Sequence, residues 1–121
     1  MMDSLSPSIR SVMVANGDTS KQIWITEYGA PTGGPGSATT NLNYGLIRGT
    51  SHVSTQLQAQ MLSQSVQQYE QYSWLGNYFW YSYKDLGTNA SNPGNFFGLL
   101  NHNGTPKPAY STYKQAATGG K

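Results

Sequence analysis

The chain has no cysteine. That excludes a disulfide framework, a thiolate metal site and a thiol nucleophile, and it leaves the compartment open. Charge is scarce too: Asp, Glu, Lys and Arg make up 10% of the 121 residues. The net charge is +2 without a basic cluster, which argues against nucleic acid as a partner. No apolar run approaches the roughly 18 residues of a membrane span, so no membrane partner is expected. The amino terminus lacks the apolar heart of a secretion signal. If the parent protein is secreted, its signal lies upstream. No metal and no cofactor is expected.

Aromatic and uncharged polar residues fill the space that charge leaves. Aromatics reach 12%, with nine Tyr and three Trp, among many Ser, Asn, Gln and Gly. This composition suits an extracellular, carbohydrate-active protein. The length allows one ordinary domain with a modest core, and there is no internal repeat. Asn89-Ala90-Ser91 and Asn103-Gly104-Thr105 fit the glycosylation acceptor pattern.

The stretch Ile23-Trp24-Ile25-Thr26 is an unbroken β-branched and aromatic run. It predicts a short strand buried on both faces. The strand closes on Glu27 and turns at Gly29 and Pro31. Upstream, Ser6-Pro7 is a helix entry, Ile9, Val12 and Met13 form an apolar stripe, and Asn16-Gly17-Asp18 stops the helix. Downstream, residues 30–50 form a long loop rich in Gly, Pro and Ser, with Tyr44 and His52 as its members most able to touch a sugar.

A helix then begins at Ser54 or Thr55, where Thr55 with Gln58 fits a capping box. Leu57, Met61, Leu62, Val66 and Tyr69 give it one apolar face under a coat of glutamines. Residues 74–81 read as a second strand, 83–95 as a second loop, and 109–117 as a last helix. Strand, helix, strand is a βαβ unit, so the two strands are expected to be parallel. The predicted architecture is α/β, in the order α-β-α-β-α.

Parallel strands bring their carboxyl ends to one edge, about 5 Å apart. Glu27 and Trp80 are thereby expected on neighbouring strand ends, with Tyr28, Tyr81 and Asp85 close by. A Trp face suits stacking on the C–H face of a sugar ring. Trp24 and Trp74 are expected in the core. Asp3, Asp18 and Glu70 fall away from this edge, which leaves Glu27 and Asp85 as its carboxylates.

Trp24-Ile25-Thr26-Glu27-Tyr28-Gly29 resembles the seventh strand of the (β/α)8 glycoside hydrolases of clan A, the group of many cellulases, mannanases and β-xylosidases. Tyr78-Phe79-Trp80-Tyr81 resembles the eighth strand. Phe97-Gly98-Leu99-Leu100-Asn101 and Gly104-Thr105-Pro106-Lys107-Pro108-Ala109-Tyr110 resemble the loop and opening of the last helix. A barrel needs about 250 residues, so the resemblance implies that residues 1–121 are the carboxyl-terminal part of one, a single incomplete domain.

The resemblance implies a retaining hydrolase of β-linked glycans such as cellulose or xylan. Glu27 is its nucleophile, and Trp80, Tyr28, Tyr81 and Asp85 contact the substrate. The family's acid/base follows an Asn on the fourth strand, and no Asn-Glu pair occurs here. The partner surface is therefore the missing barrel half or further copies of the chain, as a homo-oligomer. A carbohydrate-binding module without hydrolysis and an inactive structural fragment are the alternatives.

Overall fold

The computed structural model describes residues 7–42 and 50–119. In chain order these form α1 (Ile9–Ala15), β1 (Ile23–Tyr28), α2 (Thr55–Glu70), β2 (Leu75–Trp80), a 3-10 turn (Pro93–Phe96) and α3 (Pro108–Gly119). β1 and β2 are parallel neighbours in a two-stranded sheet. The α-β-α-β-α order is the expected one. Among the described residues no helix is long and apolar enough to cross a membrane.

α1 starts at Ser8, whose Oγ accepts the Ser11 N–H at 3.0 Å. Ser6, the expected entry residue, lies outside the described residues. Gly17, with φ +85°, ends the helix where an L side chain would be strained. The apolar stripe is only weakly covered: Ile9 and Val12 are 53% and 47% exposed, Met13 is half-buried, and no residue of α1 is fully buried. One side chain holds α1 instead. Arg10 donates to the carbonyls of Thr19 (2.7 Å) and Lys21 (2.9 Å), and its guanidinium lies 5.6 Å from the Trp74 ring centre.

β1 departs from the expected double-sided burial. Its residues alternate between half-buried and exposed, because the helices cover one face of the sheet and, among the described residues, nothing covers the other. Trp24, expected in the core, is 57% exposed and lies across Gly76, where an added Cβ would meet its ring at 2.4 Å. Trp74, also expected in the core, is half-buried, with its ring 4.9 Å from that of Tyr72.

The ladder is irregular. Its partners are Ile23 with Leu75, Ile25 with Tyr78, and Tyr28 with Trp80. Between the last two pairs β1 advances three residues while β2 advances two. This extra residue leaves Thr26 and Glu27 both exposed and returns Tyr28 to the helix side.

The core lies between sheet and helices in two patches. One joins Leu62, Trp80, Leu99 and Ala109, flanked by Tyr28, Ala59, Val66 and Tyr78. The other joins Ala30, Val53 and Leu57, flanked by Met61. Fully burying a Leu such as Leu62 stabilises by roughly 2 kcal/mol.

The N-cap of α2 is Ser54, whose Oγ accepts the Leu57 N–H at 3.0 Å. The expected Thr55–Gln58 capping box is not the cap, because Gln58 turns inward. Its Nε2 donates to the carbonyls of Ala30 (3.0 Å) and Gly98 (3.4 Å), stitching α2 to both loops at the carboxyl end of the sheet.

Candidate functional site

The carboxyl ends of β1 and β2 share one edge. Glu27 is exposed at the end of β1. Tyr81 follows β2 directly, and its N–H donates to the Tyr28 carbonyl at 2.9 Å. Tyr81 is 38% exposed, and its ring meets Phe97 edge-on at 5.3 Å. Gly29 permits this approach: a Cβ there would lie 2.0 Å from the Tyr81 carbonyl oxygen. Along β2, Leu75, Tyr78 and Trp80 face the helices, while Asn77, Phe79 and then Tyr81 are exposed. Glu27 and Tyr81 therefore share the uncovered side.

Two expected substrate contacts sit on the opposite side. Trp80 is 9% exposed and packs with Leu62, Leu99 and Ala109. Its Nε1 is buried without a hydrogen-bond partner among the described residues. Tyr28 packs against the same cluster, its ring 5.8 Å from Trp80 and 6.4 Å from Tyr78. Burial raises the Tyr28 phenol above its ordinary range. These two rings build the core beneath the edge. The physical reason is register: the residue that emerges on the open side is Tyr81, one position after Trp80.

Asp85 is also buried, 6% exposed. Its Oδ1 accepts from Lys107 Nζ at 2.7 Å and from the Gly98 N–H at 2.8 Å. Lys107 Nζ further donates to Thr32 Oγ1 at 2.8 Å and to the Phe96 carbonyl at 3.2 Å. Burial pulls the Lys107 ammonium below the usual lysine range, against the opposing pull of Asp85. The expectation that Asp85 contacts substrate thus meets a carboxylate committed to an internal ion pair.

The described parts of the loop after β1, residues 30–42 and 50–53, are braced by hydrogen bonds. The Thr32 N–H donates to the Phe96 carbonyl at 3.0 Å, the Val53 N–H to the Pro31 carbonyl at 2.9 Å, and Thr39 bridges to Val53. His52 is buried with Nδ1 2.9 Å from Ser51 Oγ, whose hydroxyl donates to the Pro35 carbonyl. It therefore packs within the loop. Tyr44 lies outside the described residues.

Beside the open edge of β1, Trp24, Leu42, Met61, Tyr69, Tyr72 and Trp74 line an apolar groove of about 520 Å³. Lys107, Gln58 and the segment 96–98 were not anticipated as parts of the edge. A lysine flanked by Pro106 and Pro108 is the local signal that marks Lys107.

Residues 2–113 match the model of the glycosyl hydrolase catalytic core family. Among solved structures, the chain is similar to a family 39 glycoside hydrolase from the gut symbiont Bacteroides cellulosilyticus WH2, with 26% identity and a TM-score of 0.59 over 80% of this chain and 16% of that one. It is also similar to a GH2 β-galacturonidase from Eisenbergiella tayi bound to galacturonate, with 21% identity and a TM-score of 0.67 over 99% of this chain and 21% of that one. A Faecalibacterium prausnitzii β-glucuronidase shares 17% identity with a TM-score of 0.58 over 99% and 19% of the respective chains. At these identities the last two show the fold alone. No curated protein sequence matches the chain. The chain spans about a fifth or less of the length of these three structures, and its two parallel strands and three helices fit part of a (β/α)8 barrel.

Proposed function

The chain belongs to the glycosyl hydrolase catalytic core family, and from that premise we propose that it is the closing segment of a retaining β-glycosidase of clan A, with Glu27 as nucleophile and Tyr81 as part of one sugar subsite. The carrying observation is the placement of Glu27: an exposed carboxylate at the carboxyl end of β1, on the same uncovered side as Tyr81. Carboxyl ends of strands are where α/β barrels hold their chemistry. An ionised Glu27 attacks the anomeric carbon, and the leaving group departs with the proton of an acid. Water then cleaves the glycosyl ester.

That sequence needs a second carboxyl group about 5 Å from the first. Among the described residues, Asp85 is held by Lys107. Asp18 lies before β1, and Glu70 closes α2. Asp3 lies outside the described residues, and we assign the acid/base to the rest of a barrel or to another copy of the chain. The uncovered sheet face, the apolar groove and the unpacked α1 are the surfaces for that partner. The proposed substrate is a β-linked polysaccharide or oligosaccharide such as cellulose or xylan, outside the cell.

The commitment of Asp85 favours a second reading for the chain on its own, which is carbohydrate binding without turnover.

An activated aryl 2-deoxy-2-fluoro-β-glycoside tests the nucleophile directly, because its leaving group needs no acid. Incubation with gluco, xylo, manno and glucuronyl versions, followed by peptide mass mapping, is expected to find label on Glu27. Label on another residue, or on none with all four sugars, overturns the assignment.

A further inference from the structure

The Asp85–Lys107 pair is more sequestered than anything else charged among the described residues, with side chains 4% and 1% exposed. An ion pair this deep is weak evidence for stability, since desolvation offsets attraction, and apolar replacement of such pairs is often neutral. Its geometry is more informative. Lys107 Nζ spends its donors on three separate pieces of chain: Thr32 in the loop after β1, Asp85 in the loop after β2, and the carbonyl of Phe96. Asp85 in turn takes the Gly98 N–H.

The segment between these anchors carries Phe97, whose ring packs edge-on against Tyr81. Phe97 is fixed on both sides. Its carbonyl accepts the Ser82 N–H at 2.9 Å, and its ring edge comes within 3.5 Å of where a Gly29 Cβ would stand. Gly98 permits the tight approach, since a Cβ there would sit 2.2 Å from the Asp85 backbone nitrogen.

We propose that Lys107 is a positioning residue for Tyr81, acting through the segment 96–98, which it locks to both loops at the carboxyl edge of the sheet. This rests on the reading of Tyr81 as a subsite aromatic. Lys107 touches no substrate. It sets where the Phe97 ring stands, and Phe97 sets the Tyr81 ring on the side of Glu27.

The test separates position from stability. Lys107→Met alone leaves Asp85 buried and unpaired and risks unfolding, so the working variant is the double Lys107→Met/Asp85→Leu. Its urea midpoint is expected to stay near wild type. The nuclear Overhauser contacts between the Tyr81 and Phe97 rings are expected to disappear, and exchange of the Thr32 amide to quicken at least ~10-fold, as local opening is released.

Thr32→Val removes the acceptor for Lys107 and the hydroxyl donor to the Phe96 carbonyl without burying a charge, and it is expected to weaken the same ring contacts in a folded chain. Asp85→Asn keeps the acceptor atom and is expected to retain them. Ring contacts and Thr32 protection unchanged in the double variant overturn the proposal, and so does loss of the contacts in Asp85→Asn at an unchanged midpoint. Titration with xylohexaose and cellohexaose reads the consequence. Where wild type binds, the double variant is expected to bind at least ~10-fold more weakly, about 1.4 kcal/mol. A wild type that binds neither sugar counts against the subsite reading, while the ring contacts still decide the role of Lys107.

Discussion

Replacing Trp80 and Trp24 in turn should give opposite results, although both are strand tryptophans. Trp80 is 9% exposed and closes the cluster of Leu62, Leu99 and Ala109. A Trp side chain buries on the order of 150–250 Å². At about 25 cal/mol per Å² this is roughly 4–6 kcal/mol, an upper figure because the unfolded chain already hides part of that surface. Large-to-small core substitutions of this kind cost about 3–5 kcal/mol, which is the magnitude expected for Trp80→Ala.

Native domains hold roughly 0.1 kcal/mol per residue in total. Trp80→Ala should therefore remove a large share of the stability. Trp24 is 57% exposed over Gly76, so Trp24→Ala should cost about 1 kcal/mol or less, as surface substitutions do. Urea unfolding followed by far-ultraviolet circular dichroism reads both. A Trp80→Ala midpoint within 1 kcal/mol of wild type, or a Trp24→Ala loss above ~3 kcal/mol, would refute the assignment of faces.

Three further outcomes follow from the same geometry. Gly29→Ala drives a Cβ into the Tyr81 carbonyl oxygen, a backbone atom that cannot swing away; the expected loss is about 1–3 kcal/mol by thermal or chemical melting, and a neutral change contradicts the close approach. Burial pushes the Tyr78 phenol up to about 12, against the lowering effect of its hydrogen bond with Ser65, so the folded chain holds this proton more tightly than the unfolded one. The stability Tyr78 contributes is therefore intact below pH 10 and lost as pH rises from 10 toward 12, and a urea series over that range should show a steeper loss for wild type than for Tyr78→Phe. A two-stranded sheet with both edges unpaired among the described residues should self-associate, and a monomer at micromolar concentration in light scattering, with cooperative unfolding, would show otherwise.

Element types were legible because each rests on a local pattern. Ile23 to Thr26 is β-branched and aromatic, Ser54 stands before an apolar stripe of helical spacing, and Gly17 ends α1. Facing was harder. In Tyr78-Phe79-Trp80-Tyr81 every residue is aromatic, so no alternation sets the phase, and a one-residue difference exchanges Trp80 for Tyr81 at the open side. In β1 the extra residue before Tyr28 does the same to Thr26 and Glu27, and no Gly or Pro in the strand announces it. Burial of both faces of β1 was expected from composition, but composition reports a strand's environment only when its neighbours are present. The Asp85–Lys107 pair spans 22 residues and three segments. Long-range pairing of that kind leaves no periodic trace. Gln58 looked like a capping residue because its spacing from Thr55 was right; tertiary contacts to Ala30 and Gly98 decided otherwise.

The most direct test of the site is a titration of xylo-, cello- and manno-oligosaccharides against wild type, Glu27→Gln and Tyr81→Ala, with product release followed in the same samples. If Glu27 is a nucleophile without its acid/base in this chain, wild type releases product slowly or not at all, Glu27→Gln binds nearly as wild type does, and Tyr81→Ala loses about 1 kcal/mol or more of any binding. Brisk hydrolysis abolished in Glu27→Gln would contradict the incompleteness of the chain and point to a second copy as the source of the acid/base; binding unchanged in Tyr81→Ala would remove the subsite from the edge beside Glu27.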